Sequence, residues 1–99
     1  ATVVQAQKAG KALSDEAWYL SHYRDKDQVE VDFVLENPHR QLIGIEVKAA
    51  ATVQVQDFKD LRKLQAQTGA DFLTGIVLYD GAHALPFGPR LWAVPLAAL

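Results

Sequence analysis

The chain contains no cysteine and no methionine among its 99 residues. Without cysteine it has no disulfides, no thiol nucleophile and no thiolate metal site, which fits a cytoplasmic protein. No apolar run approaches the roughly 18 residues of a membrane-spanning helix, and no signal-peptide pattern opens the sequence, so we expect no membrane partner. Because the chain starts at Ala1 in a stretch that reads as helical, we interpret it as a fragment of a larger polypeptide.

An excess of positive charge is also lacking, since the formal net charge is −2 at pH 7. No overall basic field therefore marks a nucleic-acid binder. A local basic patch remains open, since four basic residues are close in sequence: Lys48, Lys59, Arg62 and Lys63. The glycine-rich stretch 81–88 has no Gly-Lys-Ser/Thr, so it is not a P-loop. Half of the residues are hydrophobic, and a chain of this length predicts one globular domain over 1–99.

The strongest pattern in the sequence is a pair of alternating segments, 29–35 and 42–48. Their apolar residues recur at every second position, which is typical of strands with one buried face. We predict that this buried face carries the odd-numbered residues, which are Val29, Val31, Phe33 and Leu35 in the first segment, and Ile43, Ile45, Val47 and Ala49 in the second. The acids Glu30, Asp32 and Glu46, with Lys48, then lie on the opposite face.

The polar stretch 37–41 contains a proline and predicts a five-residue hairpin loop between these strands. Folding there places Leu35 opposite Ile43, Phe33 opposite Ile45 and Val31 opposite Val47. The same register predicts Asp32 opposite Glu46, and Glu30 opposite Lys48.

Opposed side chains in such a hairpin have Cβ atoms roughly 5 Å apart. Two carboxylates that close repel each other unless a cation or a proton lies between them. The pattern alone leaves two interpretations open: a solvated strand face with ordinary Glu/Lys pairs, or a metal site.

The remaining segments complete a coarse map of the chain. We predict a mixed α/β sheet flanked by helices, in the order α-β-β-β-α-β-β, with a parallel buried strand following the second helix. The predicted elements are a helix over 3–13, a strand over 18–23, the hairpin, a helix over 52–67, a strand over 72–79, a loop over 85–89 and a short strand over 91–94.

Asp32 followed by Glu46-Val47-Lys48 resembles the core of the PD-(D/E)XK nuclease superfamily. A wider set of segments over residues 19–99 resembles an uncharacterised domain at the C-terminus of prokaryotic AAA-type ATPases. These segments are 23–27, 30–34, 45–49, 57–61, 75–79 and 91–96. The resemblance implies a restriction-endonuclease-like core with an extra C-terminal strand, an upstream ATPase domain in the same polypeptide, and nucleic acid as a partner.

The resemblance also implies roles for individual residues. Asp32 and Glu46 are expected to bind Mg²⁺, with Mn²⁺ as a substitute, and the Val47 carbonyl is a candidate third ligand. Lys48 is expected to orient the attacking water or to neutralise charge that develops on phosphorus. Glu30 is expected either to support the site from behind the ligands or simply to pair with Lys48.

One departure from the superfamily pattern favours a second interpretation. Active members usually carry another acid on the first helix, which would fall at or before Ala1, and the neutral Gln5 and Gln7 cannot replace its charge. The alternative is a nuclease fold without catalysis that serves docking, dimerisation or regulation of the ATPase. If the first helix is incomplete, a second copy is expected to cover the sheet, giving a homodimer.

Overall fold

A computed structural model describes residues 3–8, 18–25 and 28–98 of the chain. Within them, seven strands form one mixed sheet in the order β1-β2-β3-β4-β5-β7-β6. The strands are β1 (Val3–Lys8), β2 (Tyr19–Arg24), β3 (Glu30–Glu36), β4 (Leu42–Lys48), β5 (Phe72–Tyr79), β6 (Leu85–Gly88) and β7 (Leu91–Pro95). The helix α1 (Lys59–Thr68) follows β4, and short 3₁₀ segments occupy Val55–Phe58, Gly69–Asp71 and Leu96–Ala98.

The predicted fold class, a mixed α/β sheet, is confirmed, and so are most of the strands and the α1 region. Strands β1 to β4 pair antiparallel, whereas β5 lies parallel to both β4 and β7. The parallel pairing of β5 explains why residues 72–79 are apolar on both faces. The order β2-β3-β4-α1-β5 is the one expected for these elements.

Two predicted elements were wrong, and a third begins later than predicted. The segment Val3–Lys8 is a strand paired with β2 rather than the start of a helix, and residues 9–13 of that predicted helix lie outside the described residues. The helix after β4 begins at Lys59, preceded by the 3₁₀ segment Val55–Phe58, instead of at residue 52. The predicted loop 85–89 contains strand β6, whose Pro86 lies on the outermost strand, where a missing backbone donor is tolerated.

Helix α1 packs on one face of the sheet, and we call this the helix face. Its apolar stripe is completely buried, because Phe58, Leu61 and Leu64 are all 0% exposed. The strand residues beneath this stripe are Val31, Val34, Leu42, Phe72, Val77, Leu91 and Ala93.

Two paired glycines make room for the helix. Gly44 on β4 lies opposite Gly75 on β5, and a Cβ at Gly44 would lie 2.7 Å from the Leu61 side chain. The close approach of α1 therefore depends on a missing side chain at the centre of the sheet.

We call the opposite side of the sheet the far face. A row of cross-strand neighbours runs along it, with Phe33 paired to Ile45, Ile45 to Ile76 and Ile76 to Trp92. Trp92 is 43% exposed. The remaining apolar residues of the far face are Leu35, Ile43, Val47, Leu78 and Val94. None of the far-face residues belongs to the buried cluster beneath α1.

The predicted face of β4 was therefore wrong. Leu42 and Gly44 are buried under α1, whereas Ile43 and Ile45 lie on the far face. The charged residues Glu46 and Lys48 follow Gly44 at two-residue intervals, so they lie at the edge of the helix face rather than opposite it.

Candidate functional site

The five-residue loop between β3 and β4 is confirmed, and the side chain of Asn37 organises it. The carboxamide oxygen of Asn37 accepts the backbone N–H groups of His39 and Gln41, which closes the turn. Arg40 adopts a φ of 67°. Beyond this loop the predicted pairs Leu35–Ile43 and Phe33–Ile45 are both present.

Beyond Phe33 the β3–β4 ladder stops, and the predicted pairs Val31–Val47 and Glu30–Lys48 are not formed. A bulge in β3 is the cause: Ser21 pairs with Val34 and Tyr23 with Val31, so two steps on β2 match three on β3. The extra residue returns Val31 to the helix face, where it is 2% exposed. Val47, its predicted partner, lies on the far face and is 46% exposed.

Asp32 and Glu46 meet where the two strands separate. The backbone N–H of Asp32 donates to Glu46 Oε1 at 3.2 Å, and the backbone N–H of Val47 donates to Asp32 Oδ2 at 2.9 Å. Carboxylate side chains thus replace the missing ladder bonds. The two acids that were predicted to converge do so, through reciprocal contacts with each other's strand.

Glu46 carries an unusual protonation equilibrium. Its partial burial, reinforced by the negative charge of Asp32 and by those of Asp60 and Glu30, raises its pKa to about 7. The hydrogen bond from the Asp32 backbone opposes this rise without cancelling it. Near neutral pH Glu46 is therefore either protonated or ionised next to other negative charges. In the ionised form, a nearby cation would be stabilising.

Lys48 lies on the same strand face as Glu46, as predicted, but its partner is different. Its Nζ lies 2.6 Å from Oδ2 of Asp57, in the 3₁₀ segment before α1. Glu30, the predicted partner of Lys48, instead pairs with Arg24 at 3.1 Å. The bulge and the strand separation explain this difference, because they remove Glu30 from the β3–β4 register.

The 3₁₀ segment and helix α1 each supply an acid that the sequence interpretation did not place in the site. Asp57 contacts Lys48, and Asp60 Oδ2 accepts the backbone N–H of Glu30 at 3.3 Å. The two are three residues apart and so lie on one side of the helical segment. The spacing Asp57-x-x-Asp60, one loop after Glu46-x-Lys48, is visible in the sequence, but it does not show which residues these acids contact.

His22 is also part of this region, although its sequence context predicts an ordinary strand histidine. Its Nδ1 donates to the backbone carbonyl of Asp32 at 2.6 Å, and its ring lies 5.4 Å from that of Phe33. A cavity of about 300 Å³ lies beside Asp32. The residues His22, Tyr23, Arg24, Glu30, Val31 and Asp32 line it.

Asp32 and Glu46, the two acids that the sequence predicts as metal ligands, lie close together. No group of three or more His, Cys, Asp or Glu side chains is arranged to hold a metal ion within residues 3–8, 18–25 and 28–98. The Val47 carbonyl stays a prediction as a third ligand.

No α-helix in the described part of the chain is long and apolar enough to cross a membrane.

The chain was compared with protein-family models, curated proteins and solved structures. No curated protein and no solved structure matches it. A family model described as "Domain of unknown function (DUF4143)" matches it over residues 1–99, the full length of the sequence. The chain therefore belongs to the DUF4143 family.

Proposed function

We propose that this chain is a nuclease-like domain that hydrolyses phosphodiester bonds of DNA or RNA with the help of Mg²⁺. The observation that carries the proposal is the meeting of Asp32 and Glu46 at the point where β3 and β4 separate. Lys48 follows Glu46 on the same strand face. This is the arrangement that the resemblance to the PD-(D/E)XK superfamily leads one to expect.

The donor set fits a magnesium ion. Mg²⁺ is usually held by one or two carboxylates and retains several waters or takes phosphate oxygens, so a pair of acids suffices. In the described residues the ion pairs join Arg24 to Glu30 and Lys48 to Asp57, and neither uses Asp32 or Glu46. The excess negative charge that raises the pKa of Glu46 is what a bound cation would relieve.

The protein's own residues have distinct roles in this proposal. Asp32 and Glu46 hold the cation, which when bound polarises a phosphate oxygen and lowers the pKa of water. The Lys48 ammonium stabilises negative charge on the phosphate. Glu30 lies outside the contacts between the acids and acts on Glu46 through its charge.

The family supports a setting for this activity. Domains of this family are known to sit C-terminal to AAA-type ATPases. We propose that the domain acts beside an ATPase in the same polypeptide, in the cytoplasm.

A titration of Mn²⁺ into the protein tests the proposal. The variants are Asp32→Ala and Glu46→Ala. The matched control is Glu36→Ala, which removes an acid from the same strand as Asp32. We expect saturable binding in the unmodified protein and in Glu36→Ala, and its loss in both site variants. Cleavage of DNA or RNA that needs Mg²⁺ or Mn²⁺ and disappears in Lys48→Ala would complete the case. An absence of metal binding in the unmodified protein would contradict it.

A second candidate function has its own supporting observation. The far face presents a continuous apolar row, and both Trp92 and Val47 are more than 40% exposed. Such a surface is typical of interfaces. The alternative proposal is a nuclease fold without catalysis that docks onto the ATPase, regulates it, or joins two copies of the chain.

A further inference from the structure

The ion pair between Lys48 and Asp57 is short and partly buried, unlike a typical solvent-exposed ion pair. The two side chains are 30% and 22% exposed, and Lys48 Nζ lies 2.6 Å from Asp57 Oδ2. Partial burial reduces the screening by solvent that weakens exposed pairs. By contrast, the Arg24–Glu30 pair has side chains that are 69% and 59% exposed.

Asp57 is itself held in place by the start of the helical segment. The same Oδ2 accepts the backbone N–H of Gln54 at 2.7 Å, and the backbone N–H of Asp57 donates to the Gln54 carbonyl at 2.9 Å. Burial alone would raise the pKa of Asp57, but the hydrogen bonds from Lys48 and Gln54 outweigh it and lower the pKa. A charged, anchored carboxylate therefore faces the lysine.

This contact decides where the lysine ammonium lies. Lys48 is two residues from Glu46 on the same strand face, so the base of its side chain is next to the site. A free lysine side chain is flexible, and it loses rotamer freedom when it has to be fixed on a ligand. Here that freedom is already restricted, by a residue on a different element from either metal-binding acid.

We propose that Asp57 is a positioning residue that fixes the Lys48 ammonium at the edge of the helix face, on the side of β4 that also carries Glu46, where it meets a nucleic-acid phosphate. The inference rests on the proposed nuclease function, because it assigns the phosphate to that site. Orientation before the reaction lowers the entropy that has to be lost when the phosphate and the amine are brought together.

Three variants of the intact protein separate this role from a helix-capping role. Asp57→Asn removes the charge but retains an oxygen that can accept from Gln54. Asp57→Glu retains the charge. Glutamate is also the residue most typical of the third position of a capping box, which Asp57 occupies. Asp71→Asn, at an exposed position, is the matched control. Thermal unfolding establishes that each variant is folded.

The first measurement does not depend on catalysis. The rate of Lys48 acylation by limiting acetic anhydride is followed by peptide mass spectrometry, with the exposed Lys59 and Lys63 as internal standards. We expect acylation of Lys48 to be about five-fold faster in Asp57→Asn, because the ion pair is lost. In Asp57→Glu and Asp71→Asn the rate should stay near that of the unmodified protein.

The second measurement is the Mn²⁺-dependent cleavage of a DNA oligonucleotide. In Asp57→Asn we expect kcat to fall about ten-fold with little change in KM, since the amine has to be oriented anew in each turnover. Asp57→Glu should restore kcat. A residue that only caps the helix would not produce this split or this rescue.

The outcomes distinguish the two proposals. Unchanged Lys48 acylation in Asp57→Asn would overturn the inference, and so would faster acylation combined with full kcat. If the unmodified protein cleaves neither DNA nor RNA, the nuclease proposal fails. In that case the acylation rates alone decide whether Asp57 holds Lys48.

Discussion

The carboxylate of Asp32 accepts the backbone N–H of Val47 at 2.9 Å, so an acidic side chain takes the place of a strand-to-strand backbone bond. The contact has two consequences. It closes the gap between β3 and β4 where their ladder ends at Phe33, and it fixes one carboxylate beside Glu46. A structural role and a proposed ligand role therefore fall on the same side chain.

Substitutions of Asp32 should separate these two roles. Asp32→Asn keeps an oxygen for the Val47 N–H, so we expect the free energy of unfolding to change by less than about 0.5 kcal/mol. Asp32→Ala removes the acceptor and should cost about 1 kcal/mol. Both variants should lose Mn²⁺ binding, because neither carries a charge at this position.

Urea unfolding at pH 7 and calorimetric titration with Mn²⁺ measure these two effects. Retention of Mn²⁺ affinity in Asp32→Asn would show that the charge of Asp32 is not needed for the cation. An equal loss of stability in both variants would show that the hydrogen bond to Val47 is not what Asp32 contributes to the fold.

The raised pKa of Glu46 should make stability depend on pH. The pKa is about 7 in the folded protein and 4.5 for an unperturbed glutamate, so the folded state binds the proton more tightly. The contribution of Glu46 to the free energy of unfolding is then fully present below pH 4.5 and is lost as the pH rises through 7. After allowance for solvent screening of this partly exposed group, we expect the loss to be about 1–2 kcal/mol.

Glu46→Gln tests this prediction, because the glutamine keeps an oxygen for the Asp32 N–H. We expect the variant to be more stable than the unmodified protein at pH 8 and about equally stable at pH 5. Urea unfolding across pH 5–8 measures the difference, and Glu36→Gln is the control. A gap between Glu46→Gln and the unmodified protein that stays constant with pH would rule out this titration.

The β3–β4 hairpin and the strand that follows α1 could be predicted from local patterns. The loop 37–41 contains a proline and an asparagine whose side chain forms the turn, and it fixes the pairs next to it. The apolar segment 72–79 is a strand with the same bounds as predicted. These features depend on residues close in sequence, which is why the sequence is sufficient for them.

The helix-covered face of β4 could not be predicted from apolar content. Ile43 and Ile45 are larger and more apolar than Gly44, so periodicity favours their side as the core. Helix α1 packs on the side of Gly44 because the paired glycines Gly44 and Gly75 let Leu61 approach closely. Shape, which is a tertiary property, outweighs hydrophobicity here, and the bulge in β3 then realigns Val31 with the same face.

Part of the candidate site was likewise beyond the sequence pattern. The resemblance to the nuclease superfamily singles out Asp32, Glu46 and Lys48, and Asp32 and Glu46 do meet where β3 and β4 separate. The contacts of Asp57 and Asp60 depend on how α1 packs, because these residues reach the site across a loop and from a separate element. A pattern confined to the hairpin does not contain that information.

Gly44→Ala tests how closely α1 packs against β4. An added Cβ would lie 2.7 Å from Leu61 Cδ2 and 3.2 Å from Leu64 Cδ2, closer than carbon atoms normally approach. We expect the free energy of unfolding to fall by about 1–3 kcal/mol, as for other overpacked cores. In a Leu61→Ala background the same substitution should cost clearly less, since the clashing methyl group is absent. Equal costs in both backgrounds would contradict this contact, and chemical denaturation of the four proteins measures the cycle.

The far face provides a test of the second functional proposal. Trp92 is 43% exposed and lies at the end of the apolar row that crosses four strands. If two copies of the chain meet through this face, the unmodified protein should sediment as a dimer at high concentration, and Trp92→Lys should sediment as a monomer. The expected cause is a lysine charge buried in the interface without a partner. Leu85→Lys is the matched control, because Leu85 is similarly exposed, at 41%, but pairs with Ala93 of the helix face and so lies on the other side of the sheet. A monomer at every concentration of the unmodified protein would exclude self-association through the far face.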